Sequence, residues 1–206
     1  MSERAYDAVI FDLLTALLDS WTVWNSAAAS AEDGLKWRRK YLEFTYGAGS
    51  YRPYEEIVAD AAAAAGVRAD APARLVATWD DIAPWDEVRH VLQALAARVP
   101  LAVATNCSVA LGRRAAALVG VPFRAVVTAE EAGFYKPRPE PYRRALEGLG
   151  TAPARTLFVA GSAADVPGAR GVGMPVYWHN RMRLAPVYAA KPDFEHDTLL
   201  PLLSLV

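Results

Sequence analysis

The chain carries one cysteine, Cys107, among 206 residues. A single thiol excludes an internal disulfide and fits a reducing compartment. Charge of neither sign dominates, with 22 basic against 23 acidic residues and a net charge of -1. Without a basic excess there is no electrostatic footprint for nucleic acid or anionic lipid. No apolar run approaches the roughly 20 residues that a membrane helix needs. Met1 to Asp7 is polar and charged, unlike a secretory leader. The sequence also has no internal repeat and no dinucleotide or P-loop glycine motif. These absences describe a soluble, cytoplasmic protein without a nucleic-acid or membrane partner. What is present is apolar mass: 53% of residues are hydrophobic and 22% charged, enough for a real core. Leu199 to Val206 is apolar but short, and reads as a terminal element packed on that core.

Short apolar runs recur between helical stretches. Ala8–Phe11, Leu101–Ala104, Ala125–Thr128, Thr156–Ala160 and Pro175–Trp178 read as strands of a parallel sheet, apolar on both faces. Between the later runs, Asp86–Arg98, Ala110–Val119 and Pro139–Leu149 read as helices. Alternation of this kind predicts an α/β fold with a doubly wound parallel sheet, whose ligands bind beyond the carboxyl ends of the strands. The gap of about 90 residues between the first two strands is too long for one crossover helix. Leu35–Tyr46, Val58–Ala65 and Ala71–Trp79 have helical composition, broken by Gly47-Ala48-Gly49, Arg52-Pro53 and Gly66. Residues 20–83 therefore read as an inserted helical cap domain, and residues 1–19 with 84–206 as the core domain.

Four chemical signals fall at strand ends. Asp12 follows the first strand. Alone, it is equally a catalytic carboxylate or a loop side chain capping nearby amides. Thr105-Asn106 follows the second strand, Lys136-Pro137 the third, and Gly161-Ser162-Ala163-Ala164-Asp165 the fourth. On one side of the sheet they assemble a carboxylate nucleophile, hydroxyl and amide donors, a cation and a second carboxylate.

In this order the motifs resemble those of the haloacid dehalogenase superfamily, over nearly the whole chain. The likeness is to the 2-haloacid dehalogenase branch. Trp37-Arg38-Arg39-Lys40-Tyr41-Leu42-Glu43-Phe44 is similar to that branch's cap segment, in which an arginine follows a tryptophan. Lys136-Pro137 through Tyr142 is similar to its lysine motif with a tyrosine six residues on. Phe158-Val159 through Asp165-Val166-Pro167-Gly168-Ala169-Arg170 is similar to its fourth motif, and Trp178-His179-Asn180-Arg181 resembles the segment beyond that motif. Phosphatases of the superfamily place a general acid two residues after the nucleophile, where this chain has Leu14. Their Mg²⁺ needs several oxygen ligands, and the fourth motif offers Ser162 where they carry an acid. The ordinary dehalogenases are not matched fully either: Leu14-Thr15-Ala16 replaces their aromatic, Gly and Thr, and Ser162 replaces an Asn.

The resemblance implies a metal-independent hydrolase without a cofactor, acting on a small 2-substituted carboxylic acid. Asp12 is the expected nucleophile, forming an ester at the α-carbon that water then hydrolyses. Lys136 keeps Asp12 ionised and is shared with Asp165. Thr105 and the amides around it are expected to hold the substrate carboxylate, and Arg38 and Asn106 to meet the leaving group. Leu14, Thr15, Tyr142 and Ser162 complete the expected substrate pocket. The leaving group is either halide or the ring nitrogen of azetidine-2-carboxylate, which some enzymes of this branch open. A phosphatase and a non-catalytic binding protein are the rival readings, and a homodimer is left open. Cys107 reads as a buried structural thiol, since no histidine lies in its motif. His90 reads as a surface or packing residue, and His196 lies in the tail. His179 reads as a structural residue near the site. Trp21, Trp24, Trp37 and Trp79 read as cap core, although Trp21 and Trp24, just beyond Leu13-Leu14-Thr15-Ala16, also read as shaping the pocket.

Overall fold

The computed structural model describes residues 5–186 and 191–206. Its centre is a six-stranded, wholly parallel sheet: β1 (Ala8–Phe11), β2 (Leu101–Thr105), β3 (Ala125–Thr128), β4 (Thr156–Ala160), β5 (Val176–His179) and β6 (Phe194–His196), in the order β3-β2-β1-β4-β5-β6. β1, β2, β4 and β5 are buried on both faces, which is why their sequences run apolar without alternation. Period-two geometry divides their side chains between two cores. Val9, Phe11, Val103 and Val159 face one core, and Ile10, Ala104, Phe158 and Ala160 the other.

The connections are helical: α1 (Ser20–Ala28), α2 (Ala31–Gly47), α3 (Tyr54–Ala65), α4 (Ala71–Ala77), α5 (Val88–Ala96), α6 (Val109–Leu118), α7 (Ala129–Ala132), α8 (Pro139–Leu149), α9 (Asp165–Gly171) and α10 (Leu202–Leu205). α5 buries Val88, Val91, Leu92 and Leu95, the i, i+3, i+4, i+7 stripe of a helix with one apolar face. α8 does the same with Tyr142, Ala145, Leu146 and Leu149 on the opposite side of the sheet. Leu199 and Leu202 of the terminal segment are fully buried in the main core.

α1 to α4 form the helical cap inserted between β1 and α5. An aromatic chain fills it: ring centroids lie 4.5 Å apart for Trp24–Trp37, 5.3 Å for Trp24–Tyr41, 5.7 Å for Tyr41–Tyr54 and 6.0 Å for Tyr54–Trp79. Trp37 Nε1 donates to Val58 O at 2.8 Å, so this tryptophan braces α2 against α3. The two linkers between cap and core run side by side. Leu18 bridges Pro84 in antiparallel sense, Asp19 N donates to Ala83 O at 2.8 Å, and Trp85 N donates to Leu17 O at 3.1 Å. Farther out the cap rests on the core through Tyr41 Oη to Asn106 O (2.9 Å) and Trp79 Nε1 to Leu111 O (3.0 Å).

Several elements differ from the pattern in the sequence, among them α1, α4, β5 and the unexpected β6. α1 was not expected, because Ser20-Trp21-Thr22-Val23-Trp24 mixes polar, aromatic and β-branched residues; Asp19 nonetheless caps it by accepting from Thr22 N. The stretch Ala71–Trp79 splits into α4 and a 3-10 turn at Trp79–Asp81. β5 begins at Val176 rather than Pro175, whose missing N–H suits a strand boundary.

Candidate active site

β1 ends at Phe11, and Asp12 N still donates to Val159 O at 2.9 Å, so the backbone of Asp12 continues the ladder. The chain then turns sharply, and the Asp12 carboxylate folds back over the turn. Its Oδ2 accepts from Thr15 Oγ1 (2.7 Å), Thr15 N (3.1 Å) and Ala16 N (3.2 Å). Its Oδ1 accepts from Lys136 Nζ at 2.8 Å. The amide-capping reading of Asp12 and the ion-paired reading therefore hold together, one for each oxygen.

Lys136 Nζ also donates to Asp165 Oδ2 at 3.0 Å, bridging the two carboxylates. All three groups are buried, Lys136 at 2% exposure. The lysine is delivered by its backbone: Asn106 Oδ1 accepts from Lys136 N at 2.7 Å, and Asn106 Nδ2 donates to Lys136 O at 3.1 Å. Asp165 opens α9, and its Oδ1 accepts from Tyr142 Oη at 3.2 Å. Gly161 lets β4 pass close to the turn, since a Cβ there would lie 2.2 Å from Ala16 N and 2.3 Å from Thr15 Oγ1.

Burial opposes the charge on Asp12, but Lys136, the Thr15 hydroxyl and the Thr15 amide outweigh it and hold the pKa below the usual carboxylate value. Lys136 is likewise penalised by burial, yet Asp12 and Asp165 together raise its pKa. At Asp165 burial prevails: its pKa is pushed up to about 6, with Asp12 adding to the rise and Lys136 opposing it. One carboxylate is thus fixed as an anion, and its neighbour titrates close to neutrality.

These groups open into a cavity of about 90 Å³ between cap and core. Asp12, Leu14, Thr15, Arg38, Thr105, Asn106, Lys136, Ser162 and Asp165 all line it. Arg38 reaches it from α2: Nη1 donates to Ser20 Oγ at 3.1 Å, and the guanidinium lies 3.9 Å from the Trp21 ring centroid. Desolvation pulls the Arg38 pKa down to about 10, which leaves it charged at neutral pH. Arg39 is exposed, and Lys40 pairs with Glu43 at 2.7 Å on the outer face.

One expected contact needs correcting. Tyr142 does not line the cavity; it is fully buried behind Asp165, where α8 packs against α9. Asn106 lines the cavity; its Oδ1 and one Nδ2 proton bind the Lys136 backbone, which leaves the second Nδ2 proton over. Trp21, read both as cap core and as shaping the pocket, is half-buried and lines the cavity. Tyr41, Leu42, Tyr46 and Leu184 also line it without having been expected. Leu42 and Tyr46 lie four and eight residues after Arg38, on one helix face, which is the signal that could have found them. Leu184 had no signal; the Asn180 side chain places it by bonding both Leu184 N (2.8 Å) and Leu184 O (2.9 Å). His179 does not line the cavity: its Nδ1 meets Ala16 O at 2.8 Å, behind the turn.

A divalent cation would need oxygen ligands where the lysine ammonium already sits. Leu14 and Ser162 add no carboxylate, and no group of three His, Cys, Asp or Glu among the described residues is placed to hold a metal. The donor set does not fit Mg²⁺.

Sheet, cap and site together define an α/β enzyme with a buried, lysine-bridged carboxylate pair beneath a helical lid. Residues 6–173 match the family model of haloacid dehalogenase-like hydrolases, and the chain belongs to that family. Within it, the chain falls in the branch similar to L-2-haloacid dehalogenases. It is 31% identical to (S)-2-haloacid dehalogenase 2 of Pseudomonas sp. (strain CBS-3), over 85% of this chain and 84% of the relative. It is 28% identical to haloacetate dehalogenase H-2 of Moraxella sp. (strain B), over 98% and 99%. The fold is also that of L-2-haloacid dehalogenase from Xanthobacter autotrophicus, solved with chloropropionic acid covalently bound. That match has a TM-score of 0.81 and 23% identity, and covers 97% of this chain and 98% of the other. The chain is a hydrolase of the haloacid dehalogenase type.

Proposed function

We propose that the protein hydrolyses a small 2-halo carboxylic acid by displacement at its α-carbon, without a metal. The observation that carries this reading is the division of labour on Asp12. Oδ1 meets only Lys136 Nζ among the hydrogen bonds described, while Oδ2 is held by three donors. Oδ1 is the oxygen left to attack the α-carbon and form the ester as the leaving group departs. Arg38 brings a cation into the same cavity, suited to the negative charge that grows on a departing halide. Water then attacks the ester carbon of Asp12. Asp165, with its pKa pushed up to about 6, is tuned to accept the proton from that water. The new oxyanion develops on Oδ2, where the Thr15 hydroxyl and the Thr15 and Ala16 amides already point. Collapse of the tetrahedral species passes the remaining water proton to the departing alkoxide and restores Asp12. The balance is one haloacid and one water to one 2-hydroxy acid, one halide and one proton. On this reading residues 20–83 work as a cap domain over residues 1–19 and 84–206.

The test is a panel of L-2-chloropropionate, azetidine-2-carboxylate and a phosphate monoester, each with and without a chelator. Halide release that persists under chelation is expected. Turnover of the phosphate ester that the chelator abolishes would overturn the reading. Azetidine turnover exceeding halide release would move the leaving group to a ring amine, in which case Arg38 would hold the substrate carboxylate instead.

A further inference from the structure

The donors that face Asp12 Oδ2 are backbone amides in a turn, and a turn must itself be held. In a trans peptide the C=O and N–H point in opposite directions. Tying down the carbonyl of one peptide therefore aims its amide. The Thr15 amide shares its peptide with Leu14 O, which accepts from Ser20 N at 3.3 Å. The Ala16 amide shares its peptide with Thr15 O, which accepts from Trp85 Nε1 at 3.2 Å. Ser20 and Trp85 lie at the ends of the two linkers that join cap to core, where Leu18 bridges Pro84. The next carbonyl, Ala16 O, meets His179 Nδ1 at 2.8 Å. A carbonyl can only accept, so His179 carries its proton on Nδ1, and burial holds its pKa below the usual histidine value.

We infer that Trp85 is a positioning residue for ester hydrolysis: its indole N–H, delivered by the returning cap linker, aims the Ala16 amide at the oxygen that becomes the oxyanion. His179 supports the same turn one carbonyl further on. The inference rests on Asp12 being the nucleophile. It adds that the cap linkers, and not only the sheet, set the geometry of the second half-reaction. Arg181 stacks on the Trp85 ring at 5.0 Å and pairs with Glu87 at 2.8 Å, so the ring is steadied from its outer side.

The two half-reactions separate this role from a merely structural one. Alkylation of Oδ1 does not use the Ala16 amide as an oxyanion donor, whereas ester hydrolysis does. Trp85→Phe keeps the ring and removes the N–H. Rapid quench with L-2-chloropropionate, read by mass spectrometry of the Asp12 peptide and by halide release, gives both rates. The expected result is an ester that hydrolyses roughly five to ten times more slowly and accumulates on Asp12, with the first-turnover halide burst within about twofold of wild type. His179→Leu should shift the same ratio in the same direction, while His179→Asn, which retains a donor near the Nδ1 position, should restore it. Equal slowing of both steps, or an unchanged ester fraction in a folded Trp85→Phe protein, would overturn the inference. Absence of any Asp12 adduct in the wild type would instead remove the nucleophile reading on which it rests.

Discussion

Lys136→Met removes the shared cation while keeping much of the side chain's length. Lys136 Nζ lies 2.8 Å from Asp12 and 3.0 Å from Asp165, and the residue is 2% exposed, so solvent cannot replace it. Breaking a buried ion pair by deleting one partner costs about 3–5 kcal/mol. For a chain of this size each kcal/mol moves the melting temperature by roughly 2–4 °C, which predicts a fall of about 6–20 °C at neutral pH. The pH dependence is more telling. In the wild type the Asp12 pKa lies below its unfolded value. Its contribution to stability is therefore present above the unfolded pKa and lost as pH falls through the folded one. Without Lys136, burial and the facing Asp165 carboxyl push Asp12 the other way. An acid whose folded pKa is raised loses stability as pH climbs past its unfolded value of about 4. The deficit of the variant should thus grow between pH 4.5 and pH 7.5. Thermal unfolding of both proteins at those two pH values measures it. A deficit that is small and the same at both would refute the ionised triad.

Other expectations come from the same geometry. Arg38→Ala should lower kcat/KM for L-2-chloropropionate by about 10²–10³-fold, while Arg39→Ala on the exposed face should leave it near wild type; equal effects would sink the assignment of Arg38 to the leaving group. Asp165 titrates near 6, so ester hydrolysis should rise with pH through that region as Asp165 deprotonates. Asp165→Asn should abolish that limb, and a limb that survives would point to another base. Gly161→Ala drives a Cβ into the Ala16 amide and the Thr15 hydroxyl, so it should cost about 1–3 kcal/mol and remove activity. A fully active Gly161→Ala protein would mean that the turn is not held as described.

The fold was largely legible because a parallel sheet writes itself as short apolar runs, and Ala8–Phe11, Ala125–Thr128 and Thr156–Ala160 match their strands residue for residue. β6 was not legible, because Phe194-Glu195-His196 is a short, largely exposed edge strand with no apolar pattern. The floor of the site was legible for a similar reason: Asp12, Asn106, Lys136 and Asp165 each stand just beyond a strand or strand–helix unit, where a doubly wound sheet gathers its ligands. The features that left no sequence signal depend on contacts across the chain. Leu184 enters the cavity only through the Asn180 side chain, and Tyr142 withdraws from it because α8 buries that residue against Asp165. The commitment of the Asn106 amide to the Lys136 backbone spans 30 residues and leaves no local trace.

If Asp12 is the nucleophile, it gives its own oxygen to the product. A single turnover of excess enzyme on L-2-chloropropionate in H₂¹⁸O tests it directly. If Oδ1 attacks the α-carbon and water attacks the ester carbon, the 2-hydroxy acid of the first turnover carries unlabelled oxygen, and the Asp12 peptide gains the ¹⁸O. A labelled product with an unlabelled Asp12 would mean that water attacks the substrate itself and that Asp12 is not the nucleophile.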